Sequence, residues 1–193
     1  RRLALEQGLD LQRLVDAGYA QPFHARDIDT LRALTADAPA QATQNAAAAR
    51  RLTAEVATDG FAPFAAWAAE EAGLRDPAAL LAGLAGAGLG QLESAVAVEA
   101  FGQTRTFTVP AGPLSGVAET DAAPGLIVRD LRLSRIASVA MGAEDAPVLT
   151  ILPRDGGLSL TLECGAGQMA APDAIALLSD VAGRLEDPLR HLL

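Results

Sequence analysis

The stretch "VLTILPRDGGLSLTLECGAGQMAAPDAIALL", residues 148–178, decides the fold. Two apolar, alternating runs flank Asp155-Gly156-Gly157, an arrangement that is typical of a β-hairpin closed by a tight turn. The second run ends at Cys164 and leads through a loop of small residues into an amphipathic pattern over 172–186. The stretch therefore predicts a hairpin followed directly by a helix.

The loop after this strand matches G-x-G-x-x-A over residues 165–170, the glycine pattern of dinucleotide-binding folds. Such a site needs another parallel strand after the helix and an acidic residue that holds the ribose. Only "LEDPLRHLL" follows the helix here. The pattern therefore does not indicate a nucleotide site, and the loop needs another explanation.

The segments before the hairpin predict further helices and strands. "RRLTAEVATDGFAPFAAWAAEEAGL" (50–74) is interpreted as helical, with Phe64 and Trp67 on one face, and "DPAALLAGLAGAGLGQL" (76–92) as a second helix. "AVAVEAFGQTRTFTVPAG" (95–112) predicts a hairpin that turns at Gly102, and "GLIVRDL" a further strand. This order favours an α/β (α+β) domain with a mixed or mostly antiparallel sheet over a doubly wound one.

The first third of the chain has a different pattern. Residues 1–34 predict a small all-α domain, with two short amphipathic helices broken at Gly8 and a further helix with Asp27 near its start. Residues 35–49 are rich in Ala and lack periodicity, so they predict a mobile Ala/Pro-rich linker, although 46–49 could also begin the next helix. A core domain is then expected over 50–193.

Composition excludes several classes of protein. The net charge of −9 argues against nucleic acid or an anionic membrane as the main partner. A single cysteine, the lack of a signal peptide and the lack of a long apolar run predict a cytosol-like setting: bacterial cytoplasm, or mitochondrial matrix in a eukaryote. All 15 basic residues are Arg, which excludes Schiff bases and lysine-linked cofactors such as lipoate. Two histidines and one cysteine make a His/Cys metal cluster unexpected.

The N-terminal pattern resembles a known module. "RRLALEQGLDLQRL" (1–14) and "HARDIDTL" (24–31) are similar to the opening and close of the peripheral subunit-binding domain of 2-oxo acid dehydrogenase complexes. The resemblance implies that Asp27 organises the loop and that Arg1 and Arg2 grip carboxylates of a partner. In "DAGYAQP", proline replaces the family's loop arginine, so Tyr19 and Phe23 would supply a more apolar contact. The implied partner is dihydrolipoyl dehydrogenase or the 2-oxo acid decarboxylase.

The second part resembles a shortened catalytic domain of the dihydrolipoyl acyltransferases, which have a chloramphenicol-acetyltransferase-like fold. The similarity lies in "SAVAVEAFGQTRTFTVPAG" (94–112) and "RLEDPLRHLL" (184–193). The family's D-H-R-x-x-D-G segment falls on residues 165–171, which places its histidine on Ala166, its arginine on Gly167, and its aspartates on Gly165 and Ala170. In the family this histidine deprotonates the coenzyme A thiol, and alanine cannot take a proton.

The resemblance implies a non-catalytic adaptor of a pyruvate-type 2-oxo acid dehydrogenase complex, with lipoyl groups and coenzyme A carried by partner subunits. It also implies an apolar tip that anchors the chain in a trimer-based homo- or hetero-oligomeric acyltransferase core. That tip consists of Pro188, Leu189, Leu192 and Leu193. Alternatives remain open: an active dihydrolipoamide acyltransferase with a rearranged site that uses a base such as His191, a free-standing binding protein, or a tip that only caps the chain's own core.

Overall fold

The computed structural model describes residues 49–142 and 144–191. The chain divides between residues 48 and 49 into two units, and the described residues belong to the second. The predicted small domain and most of the predicted linker lie outside the described residues. So do these predicted functional residues: Arg1, Arg2, Tyr19, Phe23, Asp27, Leu192 and Leu193.

The described residues form seven strands, three α-helices and two 3₁₀ turns. In chain order the elements are β1 (Ala49–Val56), α1 (Phe61–Glu71), α2 (Pro77–Ala87), β2 (Glu93–Ala100), β3 (Gln103–Pro110), a 3₁₀ turn (Leu114–Gly116), β4 (Ala118–Glu119), β5 (Leu126–Asp130), β6 (Val148–Arg154), β7 (Gly157–Gly165), α3 (Ala171–Glu186) and a 3₁₀ turn (Leu189–His191).

All seven strands belong to one sheet in the order β1-β7-β6-β5-β2-β3-β4. The pairs β2–β5 and β5–β6 are parallel, and the other neighbours are antiparallel. The predicted mixed sheet is therefore confirmed. Because β5 and β6 run in the same direction, residues 131–147 must return the chain along the whole length of the strands.

Both predicted hairpins form, and their turns use positive backbone φ angles. Gly156, with φ 78°, closes β6 onto β7, where Arg154 pairs with Gly157. Phe101 (φ 53°) and Gly102 (φ 75°) close β2 onto β3. Positive φ at both central residues is the type I′ geometry, which matches the twist of the flanking strands. The side chain of Phe101 is exposed to solvent at this strained position.

The helical interpretation of residues 50–74 was wrong for its first part. Residues 49–56 form β1, which pairs with β7 along its whole length, and the helix begins only at Phe61. The burial pattern alternates with period two, and Leu52, Ala54 and Val56 turn toward the core. Pairing with β7 and burial of this face override the helical preference of a short Ala- and Arg-containing segment. The alternative that Ala49 begins a helix is wrong for the same reason.

The hydrophobic core lies between one face of the sheet and the helices. Alternate residues of the central strands, such as Leu149, Leu160 and Leu162, pack with Leu84 of α2 and Val181 of α3. The other face of the sheet, called here the polar face, carries one continuous row of cross-strand neighbours. The row runs Glu99, Arg129, Thr150, Thr161, Thr53. No described helix is long and apolar enough to cross a membrane.

Candidate functional site

Residues 165–170 connect β7 to α3, and the four residues predicted to occupy the family's catalytic segment lie together there. Ala166, Gly167 and Ala170 are exposed, and Gly165 is half-buried. A methyl group on Gly167 would meet only open space, so no neighbouring side chain fills the position. None of the four side chains can accept or donate a proton, so these positions cannot supply acid–base chemistry.

The side chain of Gln168 holds this turn in place by hydrogen bonds. Its side-chain Oε1 accepts a hydrogen bond from the backbone N–H of Gly165 at 2.6 Å, and its Nε2 donates to the carbonyl oxygen of Glu144 at 2.7 Å. The backbone N–H of Gln168 itself donates to the Gly165 carbonyl at 3.1 Å. A side chain that serves structural bonds at both of its polar ends is committed to holding the turn. Sequence reasoning missed this role, although glutamine in a run of small residues was an available signal.

Arg50 of β1 fixes the same turn from the neighbouring strand. Its Nη1 donates to the Met169 carbonyl at 2.8 Å and, at 3.4 Å, to the Gly165 carbonyl. Arg50 lies opposite Cys164 in the β1–β7 register. Burial raises the pKa of the Cys164 thiol, although Arg50 acts in the other direction. The thiol therefore stays protonated near neutral pH and offers neither a thiolate nucleophile nor a base.

His191 lies at the opposite end of α3 from Ala166. It belongs to the 3₁₀ turn Leu189–His191, beyond the C-terminus of α3, whereas Ala166 precedes the N-terminus of the same helix. The 16 residues of α3 span about 24 Å at 1.5 Å per residue. A base must lie within hydrogen-bond reach of the proton that it abstracts. Within one chain, the backbone of residue 191 therefore lies at the far end of α3 from residue 166.

A buried arginine supports the turn from the polar face of the sheet. Arg129, whose side chain is 8% exposed, donates through Nε to Glu99 at 2.6 Å and through Nη2 to Glu144 at 3.2 Å. Burial alone would lower the pKa of Arg129, but the hydrogen bonds and charges of the two carboxylates raise it. Since the backbone carbonyl of Glu144 also accepts a hydrogen bond from Gln168, the Arg129–Glu144 ion pair connects the polar row to the turn. The sequence contained a signal for these ion pairs, because an arginine inside an apolar strand needs a buried partner of opposite charge.

Two surface cavities contain no free acid–base group. A groove of about 580 Å³ between the end of α2 and the β3–β4 connection is lined mainly by glycine and apolar residues, and its Arg184 pairs with Asp180. A second cavity of about 350 Å³ contains Arg105, which bonds to both Asp76 and Glu119. The Arg105 side-chain hydrogen bond lowers the pKa of both carboxyl groups. Both carboxylates are ionised and paired near neutral pH, so neither is a poised catalytic acid.

The described residues contain no group of three or more His, Cys, Asp or Glu side chains that could hold a metal ion. At the C-terminal end, Pro188 is buried, whereas Leu189 is 48% exposed. Of the two tip residues that the structure describes, one is therefore buried within its own chain and the other is about half exposed. The anchoring role itself stays a prediction.

No family model and no curated protein matches the chain. Solved structures do resemble it in fold. The dihydrolipoamide acetyltransferase of Azotobacter vinelandii is 12% identical, over 75% of this chain and 84% of that one, with a TM-score of 0.52. The cubic core of a pyruvate dehydrogenase multienzyme complex is 11% identical, over 81% and 90% of the two chains, also with a TM-score of 0.52.

A probable dihydrolipoamide acetyltransferase from Listeria monocytogenes is 11% identical, over 88% of this chain and 95% of that one, with a TM-score of 0.50. At these identities the likeness is one of fold. The described residues therefore have the fold of the acyltransferase cores of 2-oxo acid dehydrogenase complexes, as the sequence resemblance implied.

Proposed function

We propose that the chain is a non-catalytic, acyltransferase-like subunit of a pyruvate-type 2-oxo acid dehydrogenase complex. It holds a peripheral enzyme on the multimeric acyltransferase core through its N-terminal domain. Lipoyl groups and coenzyme A belong to the partner subunits. Dihydrolipoyl dehydrogenase or the 2-oxo acid decarboxylase is the peripheral enzyme.

The observation that carries this proposal is the turn at residues 165–170. The position that corresponds to the family's catalytic histidine is Ala166. The hydrogen bonds around it join the side chains of Gln168 and Arg50 to backbone groups and so hold the turn in place. The loss of a general base costs a rate factor of about 10²–10⁴. The scaffold persists around a segment that has no proton acceptor, which fits a structural role better than a catalytic one.

A transfer assay tests the absence of catalysis. The full chain is incubated with acetyl-coenzyme A and dihydrolipoamide, beside a competent dihydrolipoamide acetyltransferase as the positive control. We expect no transfer above the background without enzyme. The variant Ala166→His is expected to stay inactive, because Gly165, Gly167 and Ala170 also differ from the family's segment. Turnover by the parent within about tenfold of the positive control would exclude the non-catalytic proposal, since a lost base costs more.

A native pull-down tests the adaptor role. Tagged full chain from its own host is expected to carry components of a 2-oxo acid dehydrogenase complex, identified by mass spectrometry. The double variant Arg1→Ala/Arg2→Ala should keep the acyltransferase and lose most of the peripheral enzyme, because charge-assisted pairs are removed. Arg75→Ala/Arg135→Ala is the matched control, since it removes the same charge from exposed positions of the described unit outside the proposed tip. Recovery of none of the complex components would identify a free-standing binding protein instead.

The anchoring tip is tested separately. Leu189 is half exposed, and burial of an exposed leucine on a partner contributes about 1.5–3 kcal/mol before the costs of association. Such contacts hold a subunit only when neighbouring contacts raise the effective concentration. Deletion of Leu192 and Leu193 together with Leu189→Ala should leave the chain folded by circular dichroism but remove the acyltransferase from the pull-down. An unfolded variant would assign these leucines to the chain's own core.

A further inference from the structure

The outer edge of β1 is unpaired within the described residues. All eight residues of β1 pair with β7 on one side, and no other described strand lies on the other side. In an antiparallel ladder every second residue turns both its N–H and its C=O to the same side, so this edge presents a regular series of donors and acceptors. Such an edge is a template for another strand.

The opposite edge of the sheet is different. β4 has only two residues, Pro110 ends β3, and Pro113 lies in the connection between the two strands. Short strands and prolines are the usual means by which proteins protect a sheet edge. The edge of β1 is eight residues long and contains no proline, so it has neither of these two devices in the part of the chain that the structure describes.

The side chains of β1 have a self-complementary order. On the polar face, Arg51 precedes Thr53 by two residues and Glu55 follows it by two. The side chains of Arg51 and Glu55 are 56% and 50% exposed. A second β1 that runs antiparallel, with Thr53 opposite Thr53, would therefore place each Arg51 opposite a Glu55.

We propose that two copies of this chain associate through β1, antiparallel about a two-fold axis at Thr53, so that the sheet continues from one copy into the other. Cross-strand neighbours lie on the same face of a sheet, so this register also keeps the helices of both copies on one side. On that side Leu52 of each copy lies opposite Ala54 of the other. This inference is independent of the proposed function.

The charges select this register over its neighbours. A two-fold axis at Leu52 would put Arg51 opposite Thr53, and an axis at Ala54 would put Thr53 opposite Glu55; neither forms an ion pair. A shift of the register by one residue would put the helices of the two copies on opposite sides of the continuous sheet. Backbone hydrogen bonds thus supply the association, and the two Arg51–Glu55 pairs supply its geometry.

The ion pairs that Arg51 and Glu55 make within the chain do not prevent them from pairing between two copies. Arg51 lies 3.5 Å from Glu163, and Glu55 pairs with Arg154 within the chain. Exposed ion pairs of this kind contribute little to stability. A carboxylate has several acceptor sites, so Glu55 can accept from a second arginine while it keeps the first.

Charge reversal in the full chain tests the register by sedimentation equilibrium. Glu55→Arg makes both pairs between copies repulsive and should raise the dimer dissociation constant about tenfold or more. Arg51→Glu/Glu55→Arg restores both pairs between copies and should recover parental self-association, although it places like charges beside Glu163 and Arg154 within the chain. Glu55→Arg/Arg154→Glu restores only the pair within the chain, so it should self-associate as weakly as Glu55→Arg alone.

Cross-linking tests the axis directly. Thr53→Cys should give a covalent dimer with a short thiol-to-thiol reagent, because the residue faces its own copy. Thr104→Cys, at an exposed position of the same face on β3, should not, and neither should the parent chain, whose Cys164 is buried. A parent that is monomeric at every concentration, a double charge swap as weak as Glu55→Arg, or equal cross-linking at residues 53 and 104 would each overturn the proposal.

Discussion

Removal of the buried arginine of β5 should destabilise the protein and loosen the turn at residues 165–170. Arg129→Met keeps the length and most of the apolar volume of the side chain but removes the guanidinium. Glu99 and Glu144 then remain without their counter-charge, with 30% and 33% of their side chains exposed. Breaking a fully buried ion pair costs about 3–5 kcal/mol. Because both carboxylates keep some contact with water, we expect a loss of about 2–3 kcal/mol.

The free energy of unfolding is measured in urea at pH 7. The matched control is Arg154→Met, which removes an arginine paired at the surface, with 60% of its side chain exposed, and should cost less than about 0.5 kcal/mol. Arg129→Met/Glu99→Gln should recover about 1 kcal/mol of the loss, because one unpaired charge disappears with the glutamate. An Arg129→Met variant as stable as Arg154→Met would refute this reasoning.

Hydrogen exchange tests the connection to the turn. The Gly165 N–H donates to Gln168, and Gln168 donates to the Glu144 carbonyl, so release of Glu144 from Arg129 should lower the protection of the Gly165 amide. The amides of α2, which makes no hydrogen bond or ion pair with Arg129 among the described residues, provide the internal reference. If all amides lose protection equally, the effect is global unfolding and the specific connection is wrong.

Three further predictions concern local features. Asp76 caps α2, and the Arg105 hydrogen bond lowers the pKa of Asp76, so the charged form stabilises the fold above about pH 4 and this contribution is lost as the pH falls through the folded-state pKa. Asp76→Ala should therefore lower the free energy of unfolding in urea by about 1–2 kcal/mol at pH 7 and by less at pH 2.5. Asp76→Asn keeps the cap, so it should cost less than Asp76→Ala at pH 7. Cys164 should react with Ellman's reagent at least about tenfold more slowly in the native protein than in urea, since burial raises its pKa; equal rates would contradict the burial. Gly60→Ala should lower the free energy of unfolding by about 2–4 kcal/mol or prevent folding, because the added methyl group would overlap the backbone carbonyl of the last residue of α3. Gly167→Ala, whose methyl group would meet open space, should change it by less than about 0.5 kcal/mol. Similar melting temperatures for the two variants would contradict this prediction.

Elements with strong local signals could be predicted from the sequence. The turn at Asp155-Gly156 and the glycine at position 102 specify hairpins because their backbone angles are open to few other residues. The amphipathic pattern over 172–186 matches α3, which spans Ala171–Glu186. The lack of a proton acceptor at Ala166 was also visible in the sequence, because an absent functional group needs no coordinates. These features depend on residues close together in the chain.

The tertiary structure decided what depends on distant pairing. β1 is a strand because β7, more than a hundred residues later, satisfies its backbone and buries Leu52 and Val56. Arg50 reaches the Met169 carbonyl across a separation of 119 residues, which no local pattern encodes. The Glu99–Arg129–Glu144 ion pairs join β2, β5 and the segment before β6, so their existence depends on strand order. Side-chain pairing across a sheet is set by register, and register follows from the burial of whole faces rather than from any single segment.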